Sequence, residues 1–333
     1  MRKWIVVATL IVLLVVGLFS KWWLFGSTHA AASVTIGEGM SARAVGEELQ
    51  KAGAIRSARG FRWYARLFAD AGTLKPGTFA VPADTSLDDL WSILTNQEFT
   101  DVVVVIPEGF TLTQVGETVR KALPGITLLE WQAATGVNSP LKKEGIGRFI
   151  PEDHDLEGYL FPDTYRFHPT DGAEAAARKM IETLARRLSE ADLFLENNGT
   201  FSNGKTLHET LTLASIVERE VRGAEDKRKV ADLFLRRLDR GMALQADSTV
   251  NYATGGNRPA VTGDDLQTDS PYNTYKYPGL PPGPISHPGI ESIEAVLHPT
   301  PNHALYFLTD AAGHVYYAAT YEEHLENKRK FLR

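Results

Sequence analysis

Leu207, Leu211, Ala214, Glu218 and Val221 follow one another at steps of four, three, four and three, the spacing of a single helical face. Four of the five are apolar or small, and the fifth is a carboxylate. The spacing predicts a helix over residues 208–222 that buries Glu218 and turns Glu220, two residues on, towards solvent. A carboxyl group in an apolar setting keeps its proton to higher pH. An acid still protonated near neutrality can donate to a leaving oxygen such as that of a glycosidic bond. Glu218 is therefore the candidate catalytic acid. The same pattern fits a structural Glu paired with a buried Arg, and periodicity leaves both readings open.

Other chemistries find little support. The chain of 333 residues has no Cys, which excludes thiolate catalysis, disulfides and Cys-based zinc sites. His287 and His298 flank Pro-rich turns and do not form a helix-borne His-Glu-x-x-His pair. No Gly-x-Ser-x-Gly elbow occurs. His314 and His324 read as surface or packing residues. The net charge is −6 without a dominant basic block, so no nucleic-acid footprint is visible. No metal or cofactor is expected.

The elements that must position Glu218 alternate irregularly. Val34–Ile36 reads as a strand, and Ser41 as the cap of a helix carrying Val45 and Leu49. Phe61, Tyr64, Ala65 and Phe68 mark a second helix, 74–82 a turn and strand, and Leu87, Leu90, Trp91 and Leu94 a third helix. Val102–Ile106 is an apolar strand. The Glu-Gly turn and helix after it echo the strand-turn-helix that begins at Ile36. Residues 151–170 read as an ordered loop with a strand. Further helices are predicted over 173–188 and over 224–240, the latter ending at Gly241. Residues 270–288 are too rich in Pro and Gly for a long helix. A hairpin over 304–308 and 314–318 precedes a helix over 321–332. Strands and helices mix without strict βαβ alternation, so the fold class is α+β.

The N-terminus carries its own signal. Residues 1–3 are short and basic. Trp4–Phe25 is a run of 22 residues interrupted by one charge, Lys21, long enough to span a bilayer. The basic residues before it place the N-terminus in the cytoplasm, and Trp22 and Trp23 suit an interfacial belt. Ala30–Ala32 would also suit signal-peptide cleavage, although the run exceeds a signal peptide's apolar core of roughly 7–15 residues. Either way the rest is exported. Residues 26–32 read as a linker.

Several ordered segments then resemble one family. They are Leu213–Glu220 (LASIVERE), Val230–Leu238, Gly241–Val250 (GMALQADSTV) with Tyr252, Ser270–Tyr275 (SPYNTY), Gly279–Ile285 (GLPPGPI) and Leu156–Tyr165 (LEGYLFPDTY). Together they resemble the endolytic murein transglycosylases, the YceG-like family. The resemblance implies a LysM-like α/β unit over 33–100 and a larger mixed α+β catalytic domain over 101–333. It implies cleavage of the MurNAc-GlcNAc β-1,4 bond of nascent peptidoglycan, leaving 1,6-anhydro-MurNAc ends and helping to terminate glycan elongation at the inner membrane. It maps the catalytic Glu onto Glu218, and its word often has Pro where this chain has Ser248. A lytic enzyme can manage with one carboxylate, because the sugar's own C6 hydroxyl is the nucleophile.

Gln245, Tyr272, Asn273 and Tyr275 are the candidates for gripping sugar and N-acetyl groups. Tyr252 and Glu157 join them as substrate-binding candidates, and Asp247 would orient them or tune Glu218. Each fits equally a hydrogen bond that merely orders a loop. Implied partners are glycan strands, the membrane and wall-synthesis proteins such as penicillin-binding proteins. The alternatives are a non-catalytic peptidoglycan-binding scaffold, or a hydrolytic muramidase with Glu157 or Asp247 as second carboxylate.

Overall fold

The computed structural model of the chain describes residues 32–37, 39–68, 74–83, 85–95, 102–169, 171–256 and 261–332. The expected anchor at 4–25, the short segment before it and all but the last residue of the linker lie outside the described residues. Among the described residues no helix is long and apolar enough to cross a membrane. The architecture is mixed α+β, with short two-stranded sheets among helices. The described residues fall into two compact units, one drawn from 1–102 and 166–171, the other from 103–165 and 172–333.

The smaller unit begins with β1 (Ala32–Ile36), α1 (Ala42–Lys51), α2 (Ala58–Phe68), β2 (Gly77–Val81) and α3 (Leu87–Thr95). β1 and β2 pair antiparallel, Ala32 opposite Val81 and Ile36 opposite Gly77. Strand alternation buries Val34, Ile36, Phe79 and Val81 against Val45, Leu49, Phe61, Leu90 and Leu94 from the helices. Burying each such side chain contributes about 1.5–3 kcal/mol. Ser41 caps α1 as expected, accepting from the Ala44 N–H.

The larger unit carries the chemistry. β3 (Val102–Val105) and β4 (Thr164–Phe167), whose residues 103–105 and 164–165 belong to this unit, pair with each other, and the Ile106 N–H continues the pairing onto the Asp163 carbonyl. Its helices are α4 (Leu112–Ala122), α5 (Leu128–Thr135), α6 (Ala173–Glu190), α7 (Leu207–Glu220), α8 (Ala224–Asp239), α9 (Asp247–Thr254) and α10 (Ile290–Leu297). A hairpin of β5 (Tyr306–Thr309) and β6 (Val315–Ala318) leads into α11 (Tyr321–Phe331). The helices α5, α9 and α10 had no counterpart in the sequence reading. Each is only eight residues long, too short to show a periodic face.

α7 lies at the centre of this unit. Its start is fixed by a capping box, with Thr206 accepting from the Glu209 N–H and Glu209 answering the Thr206 N–H. Every side chain from Thr210 to Val217 is buried, so the helix is enclosed on all sides rather than along the one stripe expected. Its hydroxyls are satisfied locally: Thr212 Oγ1 donates to the His208 carbonyl and Ser215 Oγ to the Thr212 carbonyl. The Ile285 N–H donates to Ser215 Oγ at 3.0 Å, which seats the Pro-rich segment on the helix.

Candidate active site

Two carboxylates close α7, and their surroundings differ. Glu218 has its side chain 8% exposed, as its place on the stripe predicts, but the setting is ionic rather than apolar. Its Oε1 accepts from Lys227 Nζ of α8 at 3.0 Å. Its Oε2 accepts from the Gly289 N–H at 2.9 Å and Ser292 Oγ at 2.7 Å. Gly289 is the N-cap of α10, so the carboxylate occupies the anion site of a helix N-terminus. Lys227 is buried and also has Glu108 at 3.9 Å and Glu291 at 3.8 Å. Glu108 lies so close to Gly289 that a Cβ there would fall 1.8 Å from its Oε1, so a larger residue at 289 would push the Glu108 side chain aside. Burial first, then repulsion from Glu218, hold the Glu108 carboxyl above the usual range, with Lys227 opposing.

Glu220 was expected to face solvent, and the structure corrects this. α7 ends at Glu220, Val221 turns extended at φ −142° and ψ 157°, and Gly223 takes φ 81° to start α8. Helical periodicity stops at Glu220, so its direction is set by what packs over the helix end. That is α9: Glu220 Oε1 accepts the Ser248 N–H at 3.2 Å and Ser248 Oγ at 2.7 Å. The residue keeps part of its surface open while its carboxyl is crowded. Burial is the largest influence and raises its pKa; the two Ser248 bonds partly offset this, and the neighbouring Asp247 charge adds to the rise. A carboxylate at a helix C-terminus also meets the negative end of the helix dipole.

The loop residues gather on the Glu220 side. Tyr275 donates its hydroxyl to Asp247 Oδ1 at 2.6 Å. The Gln245 N–H donates to the Thr274 carbonyl and the Ala246 N–H to Thr274 Oγ1, both at 3.1 Å, which ties the 273–275 segment to the start of α9. Gln245 is exposed and sits at φ 52°, a left-handed conformation that costs a non-glycine residue about 1–3 kcal/mol. Asn273 is wholly buried, and its carboxamide is used within its own loop. Its Nδ2 donates to the Leu266 and Thr268 carbonyls, and its Oδ1 accepts from the Tyr275 N–H. The structure therefore gives Asn273 the loop-ordering part.

Glu157 is a third buried carboxyl. Both its oxygens face the Leu112 N–H at the start of α4, at 2.9 and 3.0 Å. Tyr252 Oη donates to Oε2 at 3.3 Å, and His287 Nε2 is 3.6 Å from Oε1. Burial pushes Glu157 up to about 8, against the Leu112 hydrogen bond. Tyr252 packs at 5.0 Å between ring centroids against Tyr272. Ser248 and Tyr252 lie four residues apart on one face of α9, so a single helical turn connects Glu220 to Glu157. Glu218 stands apart from this arrangement, on the α10 side of α7.

Residues 34–330 match the model of the YceG-like family. The chain belongs to that family. It is 31% identical over 318 residues to the endolytic murein transglycosylase of Bacillus subtilis (strain 168), covering 92% of this chain and 86% of that protein. It is 33% identical over 322 residues to the protein of that name from Streptococcus pneumoniae (strain ATCC BAA-255 / R6), covering 88% of this chain and 57% of the longer relative. The crystal structure of a yceG-like protein from Listeria monocytogenes superposes with a TM-score of 0.57 at 30% identity, covering 90% of this chain and 99% of that one.

Within this YceG-like chain, sequence reasoning did not single out Lys227 or Glu108, noted Ser248 only as a departure from the family word, and misplaced Glu220. One signal was available. Gly223, two residues after Val221, marks the approaching end of α7, beyond which a stripe argument cannot orient Glu220. Nothing in the sequence pairs Lys227 with Glu218, because α8 follows α7 through a turn whose angle periodicity does not encode.

Proposed function

We propose that this YceG-like chain is a membrane-anchored endolytic lytic transglycosylase of peptidoglycan in which Glu220 is the single proton donor and acceptor. The observation that carries this reading is the contrast at the end of α7. Glu218 is bound into a buried ion pair and a helix cap, with its oxygens committed to Lys227, Gly289 and Ser292. Glu220 is a part-exposed residue with a crowded carboxyl whose pKa burial raises, with Asp247 and Tyr275 near enough to act on it electrostatically. A carboxyl whose surroundings favour its protonated form is suited to giving a proton to a glycosidic leaving oxygen.

In this mechanism Glu220 gives its proton to the β-1,4 glycosidic oxygen as the bond to MurNAc C1 breaks. The C6 hydroxyl of the same sugar then attacks C1 and returns its proton to Glu220. The ring closes as 1,6-anhydro-MurNAc and the carboxyl is reset. Asp247, aligned by Tyr275, lies beside the developing positive charge, where a fixed negative group is favourable. A hydrolytic reaction would need a second carboxylate free to act on water. Glu157 is enclosed beneath the Leu112 N–H, and Asp247 is engaged by Tyr275, so neither is placed for that.

The relatives' names support peptidoglycan as substrate. The antiparallel β1–β2 pair with α1 and α2 between them in sequence supports a LysM-like glycan-binding unit. The apolar run at 4–25 supports a single-pass anchor with the catalytic unit outside the cytoplasm, close to nascent strands and to wall-synthesis proteins such as penicillin-binding proteins. Digestion of purified glycan strands by the full chain, read by mass spectrometry, tests the reaction. Anhydro-MurNAc ends are expected; reducing ends would indicate hydrolysis, and uncut strands that remain bound would indicate the scaffold. N-terminal sequencing of the membrane-extracted protein tests the anchor, which would be refuted by a mature chain starting near Ala31.

A further inference from the structure

His287 is completely buried, and its protonation is decided by its neighbours. Its Nδ1 accepts the Leu160 N–H at 3.2 Å, so in the neutral ring the proton is on Nε2. Burial holds its pKa down at about 3, which keeps the ring neutral. That Nε2 has no hydrogen-bond partner within normal reach, and the nearest carboxylate oxygen is Glu157 Oε1 at 3.6 Å. Glu157, 6% exposed, is too enclosed to touch a glycan. Its other oxygen meets the Tyr252 hydroxyl, on a residue that is only part-buried. The chain His287–Glu157–Tyr252 thus runs from the core to the face of α9 that also holds Glu220 through Ser248.

We propose that Glu157 is a positioning residue that sets the direction of the Tyr252 O–H, and so decides whether Tyr252 offers the glycan a donor or only an acceptor. The inference rests on the glycan-cleaving reading of this site. With Glu157 as the neutral acid, Oε1 accepts from the Leu112 N–H and faces His287 Nε2–H. Oε2–H then donates to the Tyr252 oxygen, and the Tyr252 proton is free to point outward to a sugar hydroxyl or N-acetyl carbonyl. With Glu157 ionised, Tyr252 must give its proton inward. The burial that raises Glu157 to about 8 keeps the outward arrangement at neutral pH.

The other groups facing Glu157 are Asp155 from its own loop, Arg219 from α7 and Tyr272 beside Tyr252. Burial keeps Tyr252 raised and Tyr272 up at about 12.

The test uses the full chain with Glu220→Gln, which prevents turnover and removes the other acid contacted by α9. Binding of purified uncrosslinked glycan strands is measured from about pH 6.5 to about pH 9.5. Losing one neutral donor should weaken affinity about five- to tenfold across the titration of Glu157. Adding Glu157→Gln, which mimics the neutral acid permanently, should abolish the slope. Adding Tyr252→Phe, which removes only one oxygen, should also abolish it and leave affinity low throughout. An alkaline fall that persists with Glu157→Gln or with Tyr252→Phe overturns the proposal, as does a flat profile in the Glu220→Gln parent. A second readout needs no substrate. The infrared difference between wild type and Glu157→Gln should contain a protonated-carboxyl band below pH 8 that disappears above it, and its absence overturns the proposal. If the band is present but no form binds glycan, the reading of the substrate fails and Tyr252 loses its proposed role with it.

Discussion

Replacing Glu218 and Glu220 by Gln, one at a time, should produce opposite phenotypes. Glu218→Gln leaves Lys227 buried without its 3.0 Å partner, since Glu108 and Glu291 stand at 3.9 and 3.8 Å and are half-exposed. It also places an amide NH2 among donors: Lys227 Nζ, the Gly289 N–H and Ser292 Oγ. Breaking one side of a buried ion pair costs about 3–5 kcal/mol. For a unit of this size that lowers Tm by roughly 6–20 °C. The fraction that remains folded should still cut. In Glu220→Gln the amide oxygen still accepts from Ser248, and the desolvation penalty of an ionisable group is removed. Stability should hold or rise, while cleavage falls about 10²–10⁴-fold with the loss of acid-base chemistry. The assay is a thermal melt beside quantification of anhydro-MurNAc ends by mass spectrometry. A stable Glu218→Gln protein that makes no anhydro ends would refute this reasoning, and so would a Glu220→Gln protein that cuts at the wild-type rate.

Glu157 and His287 should oppose each other in the pH dependence of stability. Glu157, raised from 4.5 to about 8, binds more protons folded than unfolded, so it subtracts stability as pH rises from about 4.5 to about 8. His287, lowered from 6.5 to about 3, subtracts it as pH falls from about 6.5 to about 3. The slopes offset one another between about 4.5 and 6.5. From 6.5 to 8 His287 no longer contributes, and Glu157 adds a fall on the order of 2 kcal/mol to whatever Glu220, also raised by burial, contributes. Denaturant titrations should show that fall, and Glu157→Gln should remove most of it; an unchanged slope would contradict the burial argument. Ser248→Ala removes the hydroxyl bond that holds Glu220 down, so the alkaline limb of kcat should move to higher pH, and a shift the other way would exclude Glu220 as the titrating acid. A double-mutant cycle of Asp247→Asn and Tyr275→Phe should give a coupling of about 1.5–3 kcal/mol, as for a hydrogen bond to a charged group, measured on stability; additivity would mean that the 2.6 Å contact is not retained in solution.

Much of this protein is already settled by its sequence. The α+β class, the long helices and the terminal hairpin follow from periodicity, capping residues and Gly-Pro punctuation, because these are local properties of the chain. The ordered words from Leu156 to Ile285 identify the family without any coordinates. The burial of Glu218 is also legible, since 3.6-residue periodicity counts reliably through the middle of a helix. Tertiary structure decided what that burial means. Whether a buried carboxylate is an apolar-site acid or half of an ion pair depends on Lys227 and Gly289, which reach it from other helices. The helix end released Glu220 from its expected exposed face, and α9, too short to announce itself, covered it with Ser248. Asn273, polar in a recognisable motif, spends its hydrogen bonds inside its own loop. Periodicity reports which side of a helix is buried; the partner across the interface comes from segments brought together by folding, and that partner sets the charge state on which the chemistry depends.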